Sequence, residues 1–167
     1  MVSTYKNFIT TLGDKNIIDI LLDIKSGKYV SEINSIRYAL HSDKVQLANG
    51  LKMDLVAFTA SGTFSKQRKA KFLATYSQII NLDFDHIPTE ELEGLVAKIN
   101  ECQYTMASFI SPSGEGIKIF IKVNSISEKH SIAYNQVANF YKDLTGFDFD
   151  PKCKDITRLC FVSNDPN

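Results

Sequence analysis

Cysteines are few, and long apolar runs are missing from this 167-residue sequence. The three cysteines form no CxxC or CxxH spacing, and their odd number argues against a disulfide framework. We therefore expect Cys102, Cys153 and Cys160 to be buried thiols in a reducing compartment. No apolar segment approaches the roughly 18 residues of a membrane span, and the amino terminus lacks the basic and then apolar layout of a signal peptide. The sequence thus predicts a cytoplasmic protein with no membrane partner.

An excess of either charge is absent as well. Nineteen basic residues balance nineteen acidic ones, so nucleic-acid binding would need a local basic patch. The one dense basic cluster is residues 66–71 (KQRKAK), which follows a loop of small residues and is predicted to open a helix. Such a cluster is either a solvated helix face or a set of phosphate contacts. On the second interpretation, Lys66, Arg68 and Lys69 are candidate nucleic-acid ligands.

Several enzyme motifs are missing. The P-loop pattern GxxxxGK[ST] does not occur, and no GxGxxG opens a helix after a strand. The three histidines have no evident nucleophile or orienting partner, which argues against a serine–histidine or cysteine–histidine mechanism. His41 and His130 are each expected at the protein surface. Catalytic chemistry, if present, must therefore come from carboxylates and basic residues.

Hydrophobic periodicity predicts an α+β fold. The composition, 44% hydrophobic and 23% charged, is that of an ordinary globular domain. Apolar patterns and turn signals predict the order β-α-α-β-α-β-α-β-β-α-β. We expect a mixed, partly antiparallel sheet of about five strands with packed helices. Strands are predicted over 4–12, 55–60, 79–85, 104–110, 116–123 and 158–163, helices near 16–24, 31–40, 90–102 and 127–144, and a turn at 49–50.

The most informative stretch is residues 79–86 (IINLDFDH), an apolar strand that ends in two carboxylates. Side chains alternate along a strand, so Asp83 and Asp85 project from one face, roughly 6–7 Å apart, and Phe84 points the opposite way. Two carboxylates on one face repel each other unless a cation lies between them. The alternative is a hydrophilic strand end that opens into a turn at Pro88. On the first interpretation, the two aspartates are candidate metal ligands.

A second informative segment, residues 113–118 (SGEGIK), joins the two strands of the predicted hairpin. Its glycines let the backbone approach a ligand closely, and its amides can point at phosphate oxygens. Lys118 adds a positive charge at the start of the next strand. Because a hairpin loop needs glycines in any case, the segment by itself is also compatible with a purely structural role.

The third informative segment runs from Asp150 to Arg158. A third carboxylate beside the first two would complete an oxygen-rich site for Mg²⁺ or Mn²⁺, and an arginine could bind a triphosphate through two parallel hydrogen bonds. Asp148 competes with Asp150 for this role, because both lie on one face of an extended segment. The three segments together predict phosphoryl or nucleotidyl transfer with two metal ions.

Taken in order, these segments resemble the catalytic motifs of the archaeo-eukaryotic primase superfamily, the primase–polymerases. The closest likeness is to the primase-like domain that precedes virulence-protein-E-type helicases in bacterial mobile elements. The resemblance rests on LDFDHI (82–87), SPSGEGIKIFI (111–121) and DPKCKDITRLCFVSNDP (150–166). It implies a single primase-like domain over 1–167, with a mostly helical part (1–54) before an RRM-like catalytic core (55–167), as a piece of a longer chain.

The resemblance also implies a role for each motif residue. Lys118 departs from the family pattern, since many primases carry histidine there; lysine keeps its charge at neutral pH but has no neutral ring to donate from. Arg158 would contact the triphosphate or support the acidic centre. The catalytic metal ligands would be Asp83, Asp85 and Asp150, and the residues that hold the nucleotide's phosphates would be Ser113, Gly114, Gly116 and Lys118.

We therefore expect a template-dependent nucleotidyltransferase, a DNA primase or primase–polymerase of a mobile-element or plasmid-type replication protein. It would use nucleoside triphosphates, a single-stranded DNA template and Mg²⁺ or Mn²⁺, and a fused or associated helicase would supply template affinity. The alternative is a catalytically inactive nucleic-acid or protein interaction module. Other DxD enzymes fit less well: a phosphoaspartate phosphatase needs DxDx[TV] near the start of its fold, and a sugar-nucleotide transferase does not predict the other two segments.

Overall fold

In the computed structural model, which describes residues Met1 to Asn167, five α-helices and nine strands form an α+β fold. This is the class that the sequence predicts. None of the helices has both the length and the apolar character needed to cross a bilayer. The helices are α1 (Ile17–Lys25), α2 (Val30–His41), α3 (Val45–Met53), α4 (Thr89–Glu101) and α5 (His130–Thr145), and the strands are β1 (Val2–Lys6), β2 (Thr10–Lys15), β3 (Ala57–Phe58), β4 (Gly62–Phe64), β5 (Leu73–Tyr76), β6 (Ile79–Phe84), β7 (Thr105–Ile110), β8 (Ile117–Lys122) and β9 (Cys160–Phe161).

The strands are distributed over three sheets instead of one sheet of about five strands. The orders are β2-β1-β3-β9, β4-β5 and β6-β8-β7, and every pairing is antiparallel. The predicted hairpin of β7 and β8 is confirmed. From β6 to β9 the chain runs β-α-β-β-α-β, the order of a ferredoxin-like unit. The fourth strand of this unit, β9, pairs with β3 and so connects the unit to the amino-terminal sheet.

The sheet β6-β8-β7 separates two hydrophobic cores. On one face Ile80, Leu82 and Phe84 pack with residues of α4 and α5. On the other face Phe120 packs with residues of α1, α2 and α3. Because strand side chains alternate, burial on both faces makes β6 almost continuously buried, although its sequence includes Asn81 and Asp83. Asp83 therefore lies in the interior of the protein, and the side chain of Phe84 points to the opposite face of the sheet, as predicted.

The first two helices form where the sequence places them. Asn16 caps α1 by accepting a hydrogen bond from the backbone amide of Ile18 at 3.1 Å. The apolar positions of α2 recur at intervals of three, so that Ile33, Ile36 and Ala39 are buried.

Two local predictions are wrong. The turn expected at residues 49–50 lies inside α3, which packs on α2 and buries Ala48; tertiary packing thus overrides the turn tendency of Asn-Gly. No α-helix opens in the basic cluster, which ends in a short 3₁₀ helix, Ala70–Phe72. Instead β4 and β5 pair, and the cluster lies in the connection between them. The close pairing requires glycine at position 62, because a side chain there would come within 2.1 Å of the carbonyl oxygen of Thr75.

The cysteines are free thiols, two of them buried. Burial raises the pKa of Cys153 to about 12 and also raises the pKa of Cys160. Both thiols are therefore protonated at neutral pH, as expected of structural cysteines.

The sequence predicts His130 at the protein surface, but the structure has it buried at the start of α5. Its Nδ1 lies 3.0 Å from the hydroxyl of Tyr76, and its Nε2 is buried without a partner. Burial lowers the pKa of His130 to about 4. The residue is therefore a neutral part of the core.

Candidate functional site

A polar cleft of about 310 Å³ opens beside the carboxyl end of β6. It brings together side chains from both the amino-terminal part and the ferredoxin-like unit. Three carboxylates, four cations and three apolar side chains line it: Asp83, Asp85, Asp155, Lys52, Arg68, Lys118, Arg158, Phe8, Leu159 and Phe161. A larger groove of about 630 Å³ runs along α5, but Lys129 is the one charged side chain in its lining. The polar cleft is therefore the better candidate for chemistry.

Asp83 and Lys118 form a buried ion pair at the floor of the cleft. They are direct cross-strand partners in β6 and β8, and the Lys118 ammonium donates a hydrogen bond to Oδ2 of Asp83. The residues are 8% and 6% exposed, respectively. The second carboxylate oxygen, Oδ1 of Asp83, is buried and has no hydrogen-bond partner within the chain. An unpaired buried carboxylate oxygen is costly, so this atom is suited to accept a ligand.

The charges of this pair are set by burial and by each other. Burial raises the pKa of Asp83, and the Lys118 ammonium opposes that rise. Burial opposes the charge of Lys118, but the surrounding anions, led by Asp83, outweigh burial and raise the pKa of Lys118. Lys118 therefore stays protonated at neutral pH, as its predicted role as a fixed positive charge requires.

Asp85 lies just past the end of β6, is exposed, and lines the same cleft as Asp83. The chain turns immediately afterwards, with His86 in the left-handed region at a φ of 58°. The amide of Ile87 then donates to the carbonyl of Glu115 at 2.9 Å, which ties this turn to the β7–β8 loop. Asp83 and Asp85 thus line one cleft, and their role as metal ligands stays a prediction.

Asp150 occupies a different position from the predicted third metal ligand. Its backbone amide donates to the carbonyl of Asp83 at 3.0 Å, but its carboxylate is already engaged. Oδ1 accepts from the amide of Lys152 at 3.0 Å as the cap of a short 3₁₀ helix, and Oδ2 accepts from Arg158 at 2.7 Å. Asp148, the competing candidate, pairs with Lys142 on the exposed surface.

The structure contains no group of three or more histidine, cysteine, aspartate or glutamate side chains that could hold a metal ion. The predicted set of Asp83, Asp85 and Asp150 is therefore not assembled. The physical reason is that Asp150 acts as a helix cap and as the partner of Arg158. Asp155, which had no role in the sequence analysis, is the third carboxylate in the cleft lining.

The glycine-rich loop contributes to the architecture more than to the cleft. A side chain at Gly116 would come within 2.2 Å of the carbonyl oxygen of Phe84, so the close approach of β8 to β6 requires glycine there. Gly114 has a φ of 86° and faces Arg37, and the hydroxyl of Ser113 lies 3.0 Å from that of Ser111. Ser113, Gly114 and Gly116 do not line the cleft, whereas Lys118 does.

The other basic residues that the sequence predicts to bind ligands line two different spaces. Arg158 and Arg68 line the cleft. Nη1 of Arg68 donates to the carbonyl of Thr157 at 2.7 Å, and Nε is buried without a partner. Lys66 and Lys69 are exposed and line a neighbouring groove instead.

Sequence reasoning missed Lys52, Phe8 and Phe161. Lys52 belongs to α3, and its ammonium lies 5.8 Å from the centre of the Phe161 ring. Burial, helped by the Lys118 ammonium, lowers the pKa of Lys52. No motif surrounds Lys52 or Phe8, so the sequence carried no signal for them; Phe161 lies within the third segment, 150–166, but as an apolar strand residue it was not singled out.

The donor set of the cleft fits a divalent cation that arrives with a phosphorylated ligand. Mg²⁺ is commonly bound by one or two carboxylates together with substrate phosphates, and not by an all-protein cage. Oδ1 of Asp83 and the carboxylate of Asp85 are two candidate ligands of this kind at the same cleft. The surrounding cations suit the phosphates.

Residues 50–167 match the family model described as BT4734-like, N-terminal domain. No curated protein and no solved structure matches the chain. The identification of the chain as a member of the primase superfamily, made from three short motifs, is therefore wrong. Part of that likeness has local structural causes, since Gly116 permits close strand packing and Asp150 caps a helix. The match covers most of the chain, and the protein belongs to the family of BT4734-like N-terminal domains.

Proposed function

We propose that the protein is a template-dependent nucleotidyltransferase that adds nucleotides from nucleoside triphosphates to a nucleic-acid strand. The observation that carries this proposal is the cleft itself. Asp83 and Asp85 face one ligand-sized space together with four cations, and Oδ1 of Asp83 is buried there with no partner. Carboxylates beside a concentration of positive charge are what a metal-bound triphosphate requires.

The cations of the cleft would hold the triphosphate. Lys118 is neutralised by Asp83, and Arg158 already donates through Nη2 to Asp150. Lys52, Arg68 and the other N–H groups of Arg158 would therefore face the phosphates. Arginine can bind a phosphate through two parallel hydrogen bonds, and such charge-assisted bonds are stronger than neutral ones. Fixed positive charges around the β- and γ-phosphates also stabilise the pyrophosphate as it leaves.

Asp83, through Oδ1, and Asp85 would hold Mg²⁺ or Mn²⁺. When bound, the metal would neutralise charge on the phosphates and favour ionisation of the attacking hydroxyl. In the reaction, the 3′-hydroxyl would lose its proton to solvent and its oxygen would form a bond to the α-phosphorus. The bond between the α-phosphorus and the oxygen that bridges it to the β-phosphorus would break, and pyrophosphate would leave with that oxygen. The Lys118–Asp83 pair keeps the Asp83 carboxylate in place, and the cleft cations orient the leaving group.

The neutral net charge of the chain argues for help in binding the template. A single-stranded DNA template read by base pairing needs only to be held, and a fused or associated helicase would supply much of that affinity. The proposal places this chain in replication of a mobile element or plasmid.

A second candidate function is a catalytically inactive module that binds nucleic acid or protein. The ion pair of Asp83 with Lys118 favours it, because Lys118 already neutralises one of the two candidate metal ligands. In this case the cations would bind phosphates, and no bond would be made or broken.

Primer synthesis on a single-stranded DNA template with Mn²⁺ and nucleoside triphosphates separates the two candidates. We expect product from the wild type and a loss of about 100-fold or more with Asp85→Asn, because a metal ligand is removed. Asp148→Asn is the matched control, since Asp148 is exposed and pairs with Lys142 outside the cleft. Product from Asp85→Asn at the wild-type level would refute the proposal. Absence of product from the wild type, with triphosphate binding intact, would favour the inactive module.

A further inference from the structure

A second groove of about 310 Å³ adjoins the polar cleft. The two share Phe8 and Arg68 in their linings, so they lie side by side. The two spaces differ in charge, because no carboxylate lines the second groove. Its lining is basic and apolar and consists of Tyr5, Phe8, Ile9, Thr11, Lys66, Gln67, Arg68 and Lys69. We call it the basic groove.

The tip of the β1–β2 hairpin forms the boundary between the two spaces. Asn7 and Phe8 are both in the left-handed region, with φ of 53° and 61°. This conformation is uncommon for a bulky residue such as phenylalanine and costs energy that glycine would avoid. It places the Phe8 ring edge-on to Phe161, with centroids 5.3 Å apart, and leaves the next residue, Ile9, 85% exposed. The amide of Ile9 donates to the carbonyl of Lys6 at 3.3 Å, so the two positive φ values belong to a tight hairpin turn. This turn places Phe8 in the linings of both the polar cleft and the basic groove.

The positive charges of the basic groove are available to a ligand. Lys66 and Lys69 are exposed, and neither forms an ion pair. Arg68 is held at the boundary by its hydrogen bond to Thr157 and by the Tyr5 ring, whose centre lies 5.9 Å from the guanidinium carbon. The groove thus presents free cations on one side and aromatic or apolar side chains on the other.

We propose that the basic groove binds a single strand of nucleic acid, with its phosphates on Lys66 and Lys69 and a base stacked on Phe8. Basic residues that follow a backbone, interleaved with aromatic side chains, form the usual surface for single strands. The volume of the groove is near the lower end for small-molecule sites, which suits one or two nucleotides and not a duplex. The role of this strand as template or acceptor for the cleft rests on the proposed function. The binding of a strand in the groove does not depend on that function.

Binding of labelled 20-nucleotide oligomers of thymidine and of uridine, measured by fluorescence anisotropy, tests the proposal. Phe8→Ala should weaken binding about 5- to 150-fold, the effect of losing one stacked base, and Phe8→Tyr should restore it. In Lys66→Ala/Lys69→Ala, the slope of log K against log salt should fall by about 1.4, since each phosphate contact on a single strand contributes about 0.7. The control Lys98→Ala/Lys129→Ala removes the same charge from exposed sites outside both spaces and should keep the wild-type slope.

The outcomes separate this proposal from the proposed function. Binding of either oligomer that depends on Phe8 and on the two lysines supports the groove, even if the wild type makes no product. The two lysine substitutions are at exposed positions and should not impair folding. If the lysine variant keeps the wild-type affinity and the wild-type salt slope, the groove proposal is overturned, even if nucleotide transfer is found. Failure of the wild type to bind either oligomer at about 50 mM salt would also overturn it.

Discussion

Lys118 lies directly opposite Asp83 across the β6–β8 pair and donates a hydrogen bond to one carboxylate oxygen, while the other oxygen remains buried and unpaired. The ion pair compensates the charge of the Asp83 carboxylate inside the protein but leaves one of its oxygens without a hydrogen-bond partner. A buried ion pair of this kind contributes little net stability compared with an apolar pair of similar volume. Its consequence is positional: it fixes a carboxylate at the floor of a cationic cleft.

Removal of the lysine should be severe. Lys118→Met leaves the Asp83 carboxylate buried without its cation, and we expect the free energy of unfolding to fall by about 3–5 kcal/mol. Unfolding in urea, followed by circular dichroism, measures this loss. Lys142→Met is the matched control, because its partner Asp148 lies on the exposed surface; its unfolding curve should match that of the wild type. Equal curves for the Lys118 and Lys142 variants would contradict the prediction.

The double variant Lys118→Met/Asp83→Leu should recover much of the stability lost in the single variant, because neither charge is then stranded in the interior. The same double variant should have no nucleotidyl-transfer activity. Stability as low as that of Lys118→Met would show that the site depends on the ionic contact itself.

The buried His130 should make stability depend on pH. Its pKa is about 4 in the folded protein, against about 6.5 when unfolded. The unfolded state therefore binds more protons between these values, and stability must fall as the pH decreases from about 6.5 to about 4. The loss should reach about 3 kcal/mol, at about 1.36 kcal/mol for each pKa unit.

Unfolding titrations between pH 4 and pH 8 measure that dependence. His130→Gln removes the titrating group and should flatten the curve in this window relative to the wild type. His41→Gln, at the exposed end of α2, should retain the wild-type slope. A wild-type slope in His130→Gln would assign the dependence to other groups.

Two glycines should respond to alanine in opposite directions. At Gly116 the added carbon would lie 2.2 Å from the carbonyl oxygen of Phe84, so the β6–β8 pair must shift; we expect a destabilisation of about 1–3 kcal/mol. Gly94 lies inside α4, and an added carbon would meet open space. Gly94→Ala should therefore stabilise by about 0.5–1 kcal/mol. Thermal unfolding of both variants checks the two signs.

Arg158 should matter for ligand binding more than for stability. Its side chain is 40% exposed, and its guanidinium pairs with Asp150 at 2.7 Å, a type of contact that contributes about 0–1 kcal/mol. If it also binds the triphosphate, Arg158→Met should weaken nucleoside triphosphate binding about 10-fold or more, the loss of one charged hydrogen bond. Isothermal titration calorimetry in the presence of Mn²⁺ measures this affinity. Unchanged affinity would remove Arg158 from the proposed site.

The local sequence was sufficient to predict much of the framework that supports the cleft, but not α3 or the β4–β5 connection, which supply Lys52 and Arg68. The helices α1, α2 and α4 and the hairpin of β7 and β8 follow from periodic apolar residues and turn signals, and these depend on neighbours along the chain. The same holds for β6, and with it for the shared direction of Asp83 and Asp85. Period-two alternation determines that direction before any tertiary contact forms.

Tertiary structure determined which side chains lie near Asp83 and Asp85. Lys52 and Phe8 lie far from β6 in the sequence and reach the cleft because the amino-terminal layer packs on the β6-β8-β7 sheet. Asp155 reaches it from the connection before β9. Packing of α3 on α2 keeps residues 49–50 helical, and His130 is buried at the start of α5 beside Tyr76. Asp150 had the right residue type, yet a local helix cap and Arg158 use its carboxylate. Sequence alone thus determined the acidic strand end, whereas long-range packing determined its ligands and neighbours, because burial and charge pairing depend on contacts that no local pattern encodes.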